Sequence, residues 1–387
     1  MCKKLSDVAE YVDTKIEISE VNLINYVSTD NLLLNKQGKS VADILPASTS
    51  KVTKYSKNDV LVANIRPYLK KIWFADQSGG NSADVLTFRA KKNVSPKFLY
   101  YALFRDDFFA HMMRGAKGTK MPRGDKDQIL KFPVPDFDSE KQEEIGQILS
   151  VIDSKIEVNR KLYYELEALI KLIYDYWFMQ FEFPDAQGKP YKSSGGRMEY
   201  NHKIKQDIPY GWNVATLETI ANISTGKLDS NAEVTGGEYP FYTCAKDCVE
   251  IDSYSFDDDV ILIAGNNAQG NFHVNRYSGK FDAYQRTYVV TAKEQKYLNY
   301  LYEVLSKQMV IYKNRGSGSQ TKFLTLGMLT DIHINQPNTD LMNKFQDATH
   351  SFYLKQMEIV KENKRLSSFR DWLLPMLMNG QVTVKGA

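Results

Sequence analysis

A chain of 387 residues with 43% hydrophobic and 25% charged side chains can bury a large core, most readily as two domains or more, and excludes a disordered or fibrous protein. A formal net charge of +3 does not decide the partner, because a nucleic-acid binder gathers its positive charge on one face, which hides inside a nearly neutral total. Cys2, Cys244 and Cys248 are too few for a disulfide framework, and Cys244 with Cys248 lacks the further ligands of a metal site, so none is expected.

The opening MCKKLSDVAEYVD has no apolar signal core, and no later run is long and apolar enough to span a bilayer. A cytoplasmic protein without a membrane partner is therefore expected. Residues 3–11 form a short amphipathic opening. Asp59-Val-Leu-Val-Ala-Asn-Ile is an apolar run rich in β-branched residues and predicts a strand, followed at once by Arg66-Pro-Tyr-Leu-Lys-Lys. Gly79 and Gly80 mark a turn and residues 85–88 a second strand; Ser95 caps a helix with Pro96 at its first position. A Gly-rich basic loop begins at Arg114, and Leu130-Lys-Phe-Pro-Val-Pro closes the unit as an extended segment.

From residue 140 to 178 the pattern changes. Ile145, Leu149, Ile152, Ile156, Asn159, Tyr163, Leu166, Ile170, Ile173 and Trp177 step by fours and threes, the seam of a helix packed lengthwise on another, with Asn159 its single polar member. Asp138 and Ser139 offer caps, Ser139 with Gln142 as a capping box. About 40 residues at roughly 1.5 Å rise make a rod on the order of 60 Å, which needs a partner. Two hundred positions on, Phe345, Phe352, Ile359, Leu366 and Leu373 hold the register of Ile145, Ile152, Asn159, Leu166 and Ile173, with Ala348, Phe369 and Met376 between them.

The second half repeats the first. Leu217, Ile220 and Ala221 match Leu5, Val8 and Ala9; Asp259-Val-Ile-Leu-Ile matches Asp59-Val-Leu-Val-Ala; Ile332-His-Ile-Asn-Gln-Pro matches Leu130-Lys-Phe-Pro-Val-Pro. The expected fold is α+β: two similar globular domains of mixed strands and short helices, 1–137 and 208–337, and two long helices, 138–182 and 338–380, pairing as an antiparallel coiled coil in a pseudo-twofold internal repeat. Residues 183–207 have linker composition.

Two like heads on rods suit a DNA duplex, whose groove repeats roughly every 34 Å. In the first domain Arg66, Tyr68, Lys70 and Lys71 form one basic and aromatic group, and Arg114, Lys117, Thr119, Lys120 and Arg123 another, in a loop whose glycines let backbone approach phosphate. A solvated surface loop is the plainer reading. In the second domain Asn266, Asn267, Gln269, Asn271 and Arg286 carry forked donors and acceptors that match base edges, while Arg315, Ser317, Ser319 and Gln320 lie in the counterpart Gly-rich loop. Asn and Gly are equally plain turn formers. No dinucleotide, P-loop, nucleophile-elbow or zinc-protease fingerprint occurs, and no catalytic residue is expected.

Lys117-Gly-Thr-Lys-Met-Pro-Arg-Gly-Asp before Phe132-Pro-Val-Pro, Phe183-Pro-Asp-x-x-Gly-Lys-Pro-Tyr-Lys-Ser-Ser-Gly-Gly, and Ile208-Pro-Tyr-Gly-Trp, set in two domain-plus-rod modules, resemble the specificity subunit of type I restriction-modification enzymes. The resemblance implies two target recognition domains, each reading half of a bipartite double-stranded DNA site. It implies DNA methyltransferase subunits as partners, with restriction and motor subunits joining for cleavage. This chain would bind no cofactor; S-adenosylmethionine, ATP and Mg²⁺ would belong to the partners. Lys120, Arg123 and Arg315 are then expected on phosphates, and Arg66, Asn267, Gln269 and Arg286 on bases. Two alternatives remain open, a two-headed protein interaction scaffold and a stand-alone DNA enzyme.

Overall fold

The computed structural model describes residues 2–118, 120–267, 270–315 and 322–382, without the side chains of Arg315 and Lys322. It divides into two units, Met1–Asn159 with Glu362–Ala387, and Arg160–Lys361.

In the first unit the strand Val60–Ala63 lies inside a four-stranded sheet ordered Ala9–Tyr11, Val85–Ala90, Val60–Ala63, Ile72–Phe74. Its side chains alternate between two cores. Val60 and Val62 face the helices Pro96–Phe104 and Asp106–Arg114, through Phe98, Leu99 and Phe108. Leu61 and Ala63 face Tyr55 and Trp73 on the other side, toward a second sheet of Lys15–Glu17, Lys51–Tyr55, Gly79–Asn81 and Tyr26–Val27. Burial on both faces explains why this strand is continuously apolar.

The second unit has the same plan. Ala221–Thr225, Thr287–Ala292, Phe256–Ala264 and Val274–Ala283 take the same order, extended by Tyr239–Tyr242 and Val249–Ile251 into six strands. Ile261 and Ile263 face the helix Leu298–Arg315, and Val260 and Leu262 the opposite core. The repeat extends to single hydrogen bonds: Leu5 N–H donates to the Phe132 carbonyl at 2.8 Å, and Leu217 N–H to that of Ile332 at 3.0 Å.

The strand register corrects one expected correspondence. Val60 stands opposite Phe88 and Ile261 opposite Val290, so Val60 matches Ile261, and Asp59 matches Val260 rather than Asp259. Asp59 is buried and bonded to the Arg89 guanidinium at 2.7 and 2.8 Å, whereas Asp259 accepts from Gln295 near the surface. A slip of one residue puts a strand side chain on the other face.

Each unit takes part of both long helices, Ser139–Tyr174 and Thr339–Met378. Ile145, Leu149, Ile152 and Ile156 join the first core together with Leu373, Leu374 and Leu377. Tyr174 and Phe178 join the second with Leu341, Met342 and Phe345. Leu166 and Ile359 are buried, whereas Phe352, Leu366 and Ile173 are half-buried. The helices run antiparallel in each unit. In the first, Asp153 meets Arg370 and Asn159 meets Glu362 and Asn363; in the second, Tyr163 meets Gln356 and Phe178 meets Phe345. A wider turn, Asp175–Met179, ends the first long helix and lays Phe178 into the second core.

On the second helix the intermediate seam differs from expectation. Ala348 and Phe369 are exposed, and the inward positions are one residue later, at Thr349, Gln356, Asn363 and Arg370, a polar series at intervals of seven. Each is bonded: Thr349 accepts from Asn299 at 2.8 Å, Gln356 donates to the Tyr163 carbonyl at 3.2 Å, Asn363 accepts from Asn159 at 2.9 Å, and Arg370 donates to Asp153 at 2.7 Å. The N-terminal cap is Asp138, whose carboxylate accepts from Lys141 N–H at 2.9 Å; Gln142 instead bonds the Phe137 carbonyl and Ser95 N–H. Asn338 caps the second helix through Leu341 N–H at 2.9 Å.

The stretch read as a linker is folded. Met198–Asn201 pairs with Gln206–Pro209, and Phe183 stacks on Tyr191 and Trp212 at 4.6 and 5.4 Å. Its Gly and Ser positions are turns of a packed segment.

Ile152→Glu should destabilise the first unit by about 3 kcal/mol or more, because it places an unpaired carboxylate among Leu149, Leu373 and Leu377. Thermal melting checks this against Val151→Glu, whose site is 63% exposed and which should melt as the parent does.

Candidate nucleic-acid interface

In the first unit the loop after Val60–Ala63 crosses the segment that closes the Gly-rich loop. Asn64 accepts at its carbonyl from Gly124 N–H at 3.2 Å, Ile65 bridges Arg123, and Arg66 N–H donates to the Pro122 carbonyl at 2.8 Å. Lys117 and Arg123 exchange two backbone bonds of 2.9 Å, which close the loop on itself. Two basic groups far apart in sequence thus share one edge. A Cβ on Gly124 would lie 2.8 Å from Asn64 Oδ1 and 2.9 Å from Ile129 Cδ1, so those side chains would have to shift to admit one.

Arg66 and Lys70 are left-handed, with φ of 51° and 49°, on either side of the turn Pro67–Leu69. Such a backbone costs roughly 1–2 kcal/mol per non-glycine residue and is held here by the bonds to Pro122 and Pro67. Tyr68 is thereby exposed. Lys70 pairs with Asp106 at 3.1 Å, beside Lys36 at 2.7 Å. Burial pushes the Asp106 carboxyl up, but bonds to Lys36 and Lys70 outweigh it and hold the group below its ordinary range. Lys71 is half-buried, donates to the Thr29 carbonyl, and has its affinity for a proton lowered by burial. It is a structural tie rather than a surface cation.

Lys117 pairs with Asp125 at 3.2 Å and Arg123 with Asp84 at 2.9 Å. The Asp125 carboxyl is held low, first by the Gln128 backbone N–H and then by Lys117. These pairs reduce the free positive charge that the sequence places on this loop. All the same, exposed pairs contribute only about 0–1 kcal/mol and exchange readily for phosphate. Arg114 and Lys120 are exposed and, among the described residues, have no ion pair.

The second unit builds the same crossing. Gly265 accepts at its carbonyl from Leu324 N–H at 2.8 Å, Asn266 pairs with Phe323, and Asn267 with Lys322. Gly265 N–H donates to the Arg286 carbonyl at 2.8 Å, as Asn64 N–H does to that of Asp84 at 2.8 Å. A Cβ on Gly265 would lie 2.2 Å from the Arg286 carbonyl, so this close approach requires glycine. Asn267 is partly a turn residue, as its sequence allows: its carboxamide oxygen accepts from Asn271 N–H at 3.1 Å and its carbonyl from Gly270 N–H at 3.1 Å. The Arg286 guanidinium is exposed over the Phe323 ring, 5.7 Å from its centre.

Arg315 closes the helix Leu298–Arg315. Thr119, Gln269, Ser317, Ser319 and Gln320 lie outside the described residues. Sequence reasoning missed Asn64, Asp84 and Phe323. Their signal is positional: each stands about two hundred residues from a residue at the other crossing, but insertions shift the interval between 200 and 202, which hides the match.

Comparison with known proteins agrees with this duplication. A family model, "Type I restriction modification DNA specificity domain", matches residues 1–168 and again 209–364. The EcoDI specificity subunit of Escherichia coli is 35% identical over 46% of this chain, and the match spans 40% of that relative. The HindI specificity subunit of Haemophilus influenzae is 22% identical over 98% of both chains. A crystal structure of a type I restriction-modification S subunit from M. genitalium covers 97% of this chain and 95% of its own, with TM-score 0.56 and 19% identity, and so shares the fold.

Proposed function

Because this chain belongs to the type I restriction-modification DNA specificity family, we propose that it reads a split double-stranded DNA site, one half through each unit, and brings DNA methyltransferase subunits to it. The observation that carries this reading is the crossing built twice on one backbone plan with different side chains, as reading two different half-sites requires. In this reading the chain supplies recognition and no chemistry. S-adenosylmethionine, and ATP with Mg²⁺ where restriction subunits join, are held by the partners in the cytoplasm. No helix among the described residues is long and apolar enough to cross a membrane, which is compatible with that location.

The test is to co-express the chain with the methyltransferase encoded beside it and map methylated bases in random-sequence DNA. A split motif with a fixed gap is expected, and exchanging residues 210–335 for those of a relative should change one half only. Absence of a motif, or a change in both halves, overturns the proposal.

A further inference from the structure

The two crossings are equivalent position by position, yet one pair of positions has exchanged its charge. Asp84 and Arg286 each accept, through the backbone carbonyl, the N–H of the residue that follows the central strand, at 2.8 Å in both units. Arg123 and Phe323 each pair with the next residue of that loop, Ile65 or Asn266. The first unit therefore carries an acid at this place with an arginine as its neighbour, while the second carries an arginine with an aromatic neighbour.

We propose that this pair of positions determines base preference, and that in the second unit Arg286 selects a guanine. The inference rests on the DNA-reading function proposed above. A guanidinium offers two parallel donors to guanine O6 and N7, and the Phe323 ring, its centre 5.7 Å from that of Arg286, gives it an apolar neighbour in place of an acid. In the first unit Asp84 pairs with Arg123 instead, and in the loop that Arg123 bridges Asn64 Oδ1 and Arg66 Nε are buried without a hydrogen-bond partner among the described residues. Asn64 is only 9% exposed. The same backbone thus presents chemically different side chains, so the two units are expected to select different bases.

The test uses the chain co-expressed with its methyltransferase, with methylated motifs mapped for the parent, Arg286→Ala, Arg286→Lys and Asp84→Ala. Arg286→Ala should turn one guanine of one half-site degenerate, with discrimination there falling roughly ten- to hundredfold, and leave the other half and the gap unchanged. Arg286→Lys separates base reading from phosphate contact. It keeps the charge but loses the fork, and should relax the same guanine as the alanine variant does. Asp84→Ala should relax the opposite half.

If both Arg286 variants retain the parent motif, or methylate it uniformly more slowly, the inference is overturned while a split parent motif still upholds the DNA-reading function. If the parent itself yields no motif, the function fails first. Arg286 is exposed at a loop, so melting curves of its variants should superimpose on the parent's and exclude misfolding as the cause.

Discussion

Asp153→Ala is expected to lower the stability of the first unit by about 3 kcal/mol, read as a shift in urea or thermal midpoint. Its carboxylate accepts from Tyr101 Oη at 2.7 Å and from Arg370 Nη1 at 2.7 Å. It thereby ties the helix Pro96–Phe104 to both long helices. Arg370 is half-buried over the Phe104 ring; burial alone would weaken its hold on a proton, but Asp153 and Asp371 outweigh that and raise it. Among the described residues, removing Asp153 leaves the guanidinium with Asp371 as its acid partner and takes away the acceptor of the Tyr101 hydroxyl. Burial and the nearby Asp153 carboxylate both raise the Tyr101 hydroxyl far above its ordinary range, so it stays a donor across the working pH range. Asp153→Asn retains an acceptor but not the charge, and should cost less than the alanine variant. Equal losses in the two variants would show that the charge on Asp153 carries the whole effect and that a neutral acceptor there contributes nothing.

Glu303→Gln should stabilise the second unit at pH 8 by an amount on the order of 3 kcal/mol and leave it unchanged near pH 4. Burial pushes the Glu303 carboxyl from its ordinary value near 4.5 up to about 7, against the Tyr353 hydroxyl bond of 2.9 Å and with Glu167 and Asp175 adding repulsion. The folded chain thus holds this proton more tightly than the unfolded chain. Its contribution is fully present below pH 4.5 and is lost as pH rises through about 7. Glutamine keeps an acceptor for Tyr353 and removes the titration. Equilibrium unfolding of both proteins between pH 4 and 8 checks this, and a difference that does not widen with pH would refute it.

The sequence displays those features that rest on local periodicity. The first helix shows its seam because Ile145, Leu149, Ile152 and Ile156 bury apolar side chains at helical spacing. The duplicated opening is legible for the same reason, since Leu5 and Leu217 fill matching core positions. The second helix shows only half of its seam. Thr349, Gln356, Asn363 and Arg370 are inward because each has a partner from elsewhere in the fold, and a hydrophobic pattern does not register a satisfied polar residue. Exposed Phe369 therefore stood in for Arg370.

The candidate interface was legible as composition but not as pairing. Arg66 and the loop from Arg114 to Arg123 stand out by charge. That they share an edge follows from the Ile65–Arg123 bridge, which no local rule encodes. Asp84 is hidden because its partner Arg123 lies 39 positions away and on a different element.

Residues Arg160–Lys361 are an insertion within the first unit, whose core is completed by Leu373, Leu374 and Leu377. At a synthesis rate of roughly 5–20 residues per second, the nascent first unit waits on the order of 10–40 s for those leucines while about two hundred residues of the second unit emerge. During that interval Ile145, Leu149 and Ile152 have nothing of the last helix to cover them. The continuous second unit is therefore expected to complete its fold first on the ribosome, although its chain is made later, and the opening segment is the part most dependent on chaperones.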